Sequence, residues 1–125
     1  MEQINLPPPL NAAIKLAEHS THQHRHGAVI VKHGRIIGRG FNKIRHHKYS
    51  KFYPYAEACH AEAAAILDSS CDVRYSTVFV ARINLMGNYR NSAPCRNCRN
   101  LLASLGFRRV VYTTNDGYSV LKLNG

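Results

Sequence analysis

The sequence predicts an α/β layered domain, a sheet covered by helices, and three observations carry that prediction. Apolar residues recur at helical spacing in three segments. Five short runs rich in Val, Ile, Phe and Tyr read as strands. The two kinds alternate in the order α-β-β-α-β-α-β-β, with no internal repeat, low-complexity tract or linker. At 125 residues the chain fits one domain, residues 1–125, with a single core.

Pro7-Pro8-Pro9 reads as a stiff lead-in. After it, Leu10, Ala13, Ile14 and Ala17 follow an i, i+3, i+4, i+7 pattern, which predicts an amphipathic helix to about His19. Ser20 to His26 is polar and His-rich. A surface loop is expected there, with a second metal at the His22, His24, Arg25, His26 cluster as the alternative. Ala28–Val31 and Arg35–Gly38 read as strands joined by a hairpin turn at His33-Gly34. Gly38 and Gly40 suit a close backbone approach. Residues 42–55 form a long polar and aromatic connection, of a length that is often functional. Cys59–Leu67 is Ala-rich and helical, Ser76–Ala81 a strand, and Asn84–Ser92 a loop. Cys95–Leu105 is a helix with Gly106 as its C-terminal stop. Val110–Thr113 is a strand, Asn115-Asp116-Gly117 a turn, and Tyr118–Leu123 a last strand. The final two strands therefore suggest an antiparallel hairpin.

The bulk numbers narrow the class. A hydrophobic fraction of 45% with 19% charged residues suits a soluble globular protein. Trp is absent, so the core must rest on aliphatics, Phe and Tyr. Residues 1–10 lack a cationic start followed by an apolar run, and no segment approaches the roughly 20 apolar residues of a membrane span. A cytoplasmic protein without membrane partners is expected. Cys59, Cys71, Cys95 and Cys98 are then expected reduced. Cys59 and Cys71 read as small buried apolar residues. A net charge of +10 attracts anionic nucleotides and polyanions alike, or serves solubility.

Two segments carry chemistry. One is His60-Ala61-Glu62 and the other Pro94-Cys95-Arg96-Asn97-Cys98. Cys95 and Cys98 lie one helical turn apart, so both sulfurs can face one ion. They open a helix behind Pro94, where unpaired N–H groups favour thiolate. If the earlier helix starts at the same sheet edge, His60 completes a three-ligand zinc site with an open position for water. Glu62 would then stand beside that water without binding the metal, placed to carry protons. A closed structural zinc site, with Cys59 or another His as fourth ligand, is the alternative reading.

These segments, in this order and each at a helix start, resemble the H-x-E…P-C-x-x-C signature of the cytidine deaminase superfamily. Cys59-His60-Ala61-Glu62 and Pro94-Cys95-x-x-Cys98 followed by Leu101-Leu102, Gly106 and Val110-Val111-Tyr112 are similar to the CMP/dCMP-type members. Gly27–Val31 and Gly38–Asn42 are similar to the hairpin and substrate loop of deoxycytidylate and tRNA adenosine deaminases. The similarity runs from Gly27 to about Thr113. His60 stands where the free-nucleoside cytidine deaminases have Cys.

The resemblance implies a three-layer cytidine deaminase-like fold, with a central mixed five-stranded sheet covered by helices. It implies Zn2+ held by His60, Cys95 and Cys98, with Glu62 as catalytic proton shuttle. The implied reaction is hydrolytic, a zinc-bound hydroxide attacking C4 of cytosine and the amine leaving. The resemblance further implies that Asn42 contacts sugar or base, that the backbone N–H groups of Ala61 and Glu62 face the base carbonyl, and that the Ala93 carbonyl accepts from the departing amine. Self-association is implied too, since family members often form dimers to hexamers.

Two departures leave the substrate less defined than the chemistry. Ala63-Ala64-Ala65 stands where deoxycytidylate deaminases usually have x-Asn-Ala after the Glu, and a short hairpin replaces their C-terminal helices. Lys43 to Tyr55 interleaves Lys43, Arg45, His46, His47, Lys48 and Lys51 with Tyr49, Phe52, Tyr53 and Tyr55. Cations for phosphate and aromatics for stacking suit single-stranded nucleic acid, and equally one nucleotide phosphate. Tyr89 and Arg90, just before Ala93-Pro94, are further candidates for the substrate loop. The reading is a zinc-dependent hydrolase acting on the cytosine of a (deoxy)cytidine nucleotide. The alternatives are a deaminase of cytosine or adenine in single-stranded DNA, RNA or tRNA, and a non-catalytic zinc-stabilised nucleic-acid-binding module.

Overall fold

Ala28, Val29 and Ile30 are all fully buried, as a central strand covered on both faces requires. They lie in β1 (Arg25–Lys32) of a computed structural model, which describes residues 5–20, 24–42 and 60–123 and only the backbone of His60. The remaining elements are α1 (Pro8–Glu18), β2 (Arg35–Phe41), α2 (His60–Asp68), β3 (Thr77–Ile83), β4 (Tyr89–Arg90), α3 (Arg96–Ser104), β5 (Arg109–Thr114) and β6 (Gly117–Lys122). The main sheet runs β2-β1-β3-β5-β6, with β4 added beside β3. It is mixed, because β3 and β5 are parallel and every other pair is antiparallel. The expected terminal hairpin is β5–β6, paired from Arg109↔Lys122 to Thr114↔Gly117.

The two-residue alternation of strands sorts the core into two sides. Ala28, Ile30, Val78, Val80 and Val110 pack with Ala61 and Ala65 of α2 and with Leu102 of α3. Val29, Ala81 and Val111 pack with Leu10 and Ala13 of α1. The layers are thus α1, the sheet, and α2 with α3.

Several boundaries differ from expectation for identifiable reasons. Pro8 and Pro9 belong to α1 itself, since the first helical turn has no use for their missing N–H groups. Residues 84–92, expected as a loop, contain β4 as a sixth strand. Arg25 and His26 are in β1, and His26 is buried, so this end of the expected surface loop is sheet. Cys71, expected in the core, is exposed beyond the end of α2. The 43–59 connection, Tyr53 and Cys59 lie outside the described residues, as does His22.

Turn chemistry sets the rest. His33 and Gly34 both have positive φ, 52° and 76°, the requirement of a two-residue hairpin turn that matches strand twist. Gly106, at φ 90°, follows the α3 C-cap Leu105. Its N–H bonds the Ala103 carbonyl at 3.0 Å and that of Phe107 bonds Leu102 at 3.1 Å, the paired closure of a Schellman motif. A Cβ at Gly40 would meet Ala64 Cβ at 2.6 Å and the Ala61 carbonyl oxygen at 2.7 Å. Only the bare backbone of β2 lets α2 sit this close. No helix among the described residues is long and apolar enough to cross a membrane.

Candidate active site

Both helices behind the two sequence segments begin at one edge of the sheet. β1 is antiparallel to both β2 and β3, so β2 and β3 run the same way, and β5 is parallel to β3. Ala61, near the start of α2, lies over Gly40 near the end of β2, while Ser69, past its end, lies over Gly38. The loop into α3 is fastened to the end of β5 through Ser92 and Thr113. The condition on which the three-ligand reading depended is therefore met by the backbone.

Cys95 is the N-cap of α3, extended at φ −67° and ψ 171°, and its sulfur does not cap the helix. Helical structure starts at Arg96, one residue later than expected, with the Cys95 carbonyl accepting from the Arg99 N–H at 2.9 Å. Cys98 is buried against Ala63 and Ala64 of α2, which brings it beside the His60 turn. Sγ of Cys95 lies 3.2 Å from Sγ of Cys98. That is too long for a disulfide between them, and shorter than the roughly 3.8 Å between two thiolates set tetrahedrally at about 2.3 Å from zinc. A small side-chain rotation separates the two geometries. Zinc takes thiolates, so the metal-binding form of Cys95 and Cys98 is the reduced one. Among the described residues no three His, Cys, Asp or Glu side chains form a metal-sized group, the His60 side chain lying outside them.

Glu62 is the most unusual residue of the site. It is buried, at 2% exposure, and its Oε1 has no hydrogen-bond partner. Burial raises its pKa to about 8, with the residue's own backbone N–H pulling the other way. An apolar pocket has no reason to hold an unpaired carboxyl oxygen; a neighbouring cation and a polar reactant give one. The soft thiolate pair, a His on the adjoining helix start and this orphaned oxygen together fit zinc.

Asn42 is fully buried. Its Oδ1 accepts from the His26 N–H at 2.8 Å and its Nδ2 donates to the His24 carbonyl at 2.6 Å, so it ties the end of β2 to the start of β1. One amide hydrogen and one lone pair remain beyond those bonds. Ala61 is buried and Ala93 is exposed, with the Ala93 N–H bonded to Asn91 Oδ1 at 2.8 Å. Tyr89 and Arg90 are half-buried in β4.

The structure adds a support that the sequence reading missed. Ser92 and Thr113 are buried, with their hydroxyl oxygens 2.9 Å apart. Ser92 Oγ accepts from the Thr113 N–H and donates to the Val80 carbonyl, each at 2.9 Å. Thr113 Oγ1 donates to the Arg90 carbonyl at 2.8 Å and accepts from the Arg82 N–H at 3.0 Å. This knot holds the Ala93-Pro94-Cys95 turn against β3 and β5. Its sequence signal was a hydroxyl residue ending the buried Val110–Thr113 run and another two residues before Pro94.

Comparison with known proteins agrees with this geometry. Residues 9–114 match the family model of the cytidine and deoxycytidylate deaminase zinc-binding region. Among solved structures, RibD of Acinetobacter baumannii is 25% identical with a TM-score of 0.53, over 82% of this chain and 26% of that one. A Thermotoga maritima diaminohydroxyphosphoribosylaminopyrimidine deaminase/5-amino-6-(5-phosphoribosylamino)uracil reductase is 28% identical with a TM-score of 0.52, over 83% of this chain and 28% of that one. The chain thus spans about a quarter of the length of these two proteins. The dCMP deaminase of cyanophage S-TIM5 shares the fold at 23% identity and a TM-score of 0.54, over 85% of this chain and 82% of that one. A search of curated proteins gave no match.

Proposed function

The chain belongs to the cytidine and deoxycytidylate deaminase family, and from that premise we propose that it hydrolytically deaminates the cytosine of a (deoxy)cytidine nucleotide to uracil. The observation that carries this reading is Glu62, buried with an unpaired oxygen two residues into a helix that starts beside Cys98. The reaction makes it a hydrolase acting on the C–N bond of a cyclic amidine.

His60, Cys95 and Cys98 would hold the zinc. Bound there, zinc supplies a water acidic enough to act as nucleophile near neutral pH. Glu62 takes a proton from the attacking water and delivers it to the departing amine. The N–H groups of Ala61 and Glu62 orient the base carbonyl, and the Ala93 carbonyl accepts from the amine. Asn42 supports the sugar or base with the amide hydrogen and lone pair left by its strand contacts.

The net charge of +10 favours a second reading, deamination within single-stranded DNA or RNA, including tRNA. One experiment tests the chemistry for both. Reduced, zinc-loaded protein should release ammonia from a cytosine or adenine nucleoside, nucleotide or oligonucleotide, and Glu62→Gln should abolish release while retaining one zinc per chain. Inert wild-type protein across all of these substrates would leave the nucleic-acid-binding module.

A further inference from the structure

Arg82 and Arg90 stand directly opposite each other on β3 and β4. Like charges in this position are destabilising unless something offsets them, and the Arg90 guanidinium donates only to the neighbouring Tyr89 carbonyl, at 2.9 Å. No carboxylate offsets the two among the described residues, whose one ion pair joins Arg74 to Asp72. The second half of the arrangement is a cavity of about 350 Å³ lined by both guanidinium-bearing residues, His24, Asn84, Leu85 and Met86.

The residues share a face with the active site. Val78 and Val80 point to the α2 and α3 side, and Arg82 continues their alternation, with Arg90 as its cross-strand neighbour. His24 Nδ1 lies 3.1 Å from Arg82 Nη2. The Ser92–Thr113 knot bonds both the Arg82 N–H and the Arg90 carbonyl, so the cavity and the Cys95 turn are fastened to one point. Arg90 and Cys95 are five residues apart, a separation of at most about 18 Å even fully extended.

We propose that Arg82 and Arg90, with His24 against the Arg82 guanidinium, form a phosphate subsite for the substrate of the neighbouring deaminase centre. The proposal rests on the deaminase reading for its ligand, a cytosine nucleotide. The planar donor forks of two arginines match phosphate oxygens, and a bound phosphate removes their mutual repulsion. That phosphate belongs either to a mononucleotide or to the backbone of a single strand.

Binding, which does not depend on turnover, tests this. Titrate dCMP, deoxycytidine and a five-residue oligodeoxycytidylate into reduced, zinc-loaded full chain carrying Glu62→Gln, with and without Arg90→Ala. Arg90→Gln is measured alongside because it keeps the stem packing of the side chain. The subsite predicts that both Arg90 variants weaken a phosphorylated ligand by about tenfold or more. Deoxycytidine should change far less, so the preference for phosphate collapses. Loss confined to dCMP identifies the mononucleotide as the source. A fall of about 0.7 in the salt slope for the oligomer identifies the strand backbone. Equal loss for dCMP and deoxycytidine with an unchanged oligomer slope, or no loss for any ligand, overturns the subsite. Inert Glu62 wild type with intact phosphate-selective binding would instead sink the deaminase reading and leave the subsite standing.

Discussion

Replacing Glu62 by Gln should stabilise the metal-free protein, increasingly so as pH rises. In the folded chain the carboxyl pKa is about 8, against an ordinary 4.5, because burial disfavours the anion. Between those values the unfolded chain releases a proton that the folded chain keeps. Stability is therefore full below about pH 4.5 and falls as pH rises towards 8. Weighing the two titrations gives a cost of about 1 kcal/mol at pH 5 and about 3 kcal/mol at pH 7. Gln does not titrate, and whatever its amide costs in the same pocket is independent of pH. The stability gap between variant and parent should thus widen by about 2 kcal/mol from pH 5 to pH 7. Urea unfolding of both proteins with chelator and reductant, at several pH values, measures it. A gap that stays level across that range would show that Glu62 is solvated or paired and would remove the argument built on its orphaned oxygen.

The packing makes three further predictions. Gly40→Ala forces a methyl group into the backbone and Ala64 side chain of α2, and should cost about 1–3 kcal/mol or more in denaturant unfolding while weakening zinc retention against a competing chelator; unaltered stability would show that the helix is free to step back. Ser92→Ala removes the partner of the Thr113 N–H and should cost about 1–3 kcal/mol, with a measurable fall in zinc affinity because the Cys95 turn loses its anchor; an unchanged affinity would confine the knot to stability. His33→Asn places a residue that tolerates positive φ in the hairpin turn and should raise stability by about 0.5 kcal/mol, read as a shift in the urea midpoint.

Periodicity revealed most of the layers because burial imposes it directly. The Leu10, Ala13, Ala17 stripe became the buried face of α1, and the alternation in Val78–Ala81 became the two sides of the sheet. The candidate ligands His60, Cys95 and Cys98 and the carboxyl of Glu62 stand out in the sequence because metal chemistry demands particular side chains at particular helix starts. What escaped was set by contacts between distant segments. β4 is two residues long, and its ladder with β3 leaves no local pattern. Arg25 and His26 read as loop because polar composition outweighed their place at the head of a central strand. Asn42 was read as a substrate contact, and its bonds to the His24–His26 backbone join positions 16 and 18 residues away, beyond any local window.

The seam between β2 and α2 has a consequence for how such a protein can change. Gly38 and Gly40 meet the Ala61–Ala65 backbone with no room for even a methyl group, so the position of the His60 turn over the sheet is a property of the core. The β3–β4 excursion hangs outside that core, with Leu85 and Met86 exposed at its tip. Leu85 and Met86 at that tip can be exchanged without touching the seam, whereas a change at Arg90 reaches the Cys95 turn through the Ser92–Thr113 knot. The chain is thus fixed at the β2–α2 seam and leaves its room for variation at the β3–β4 tip.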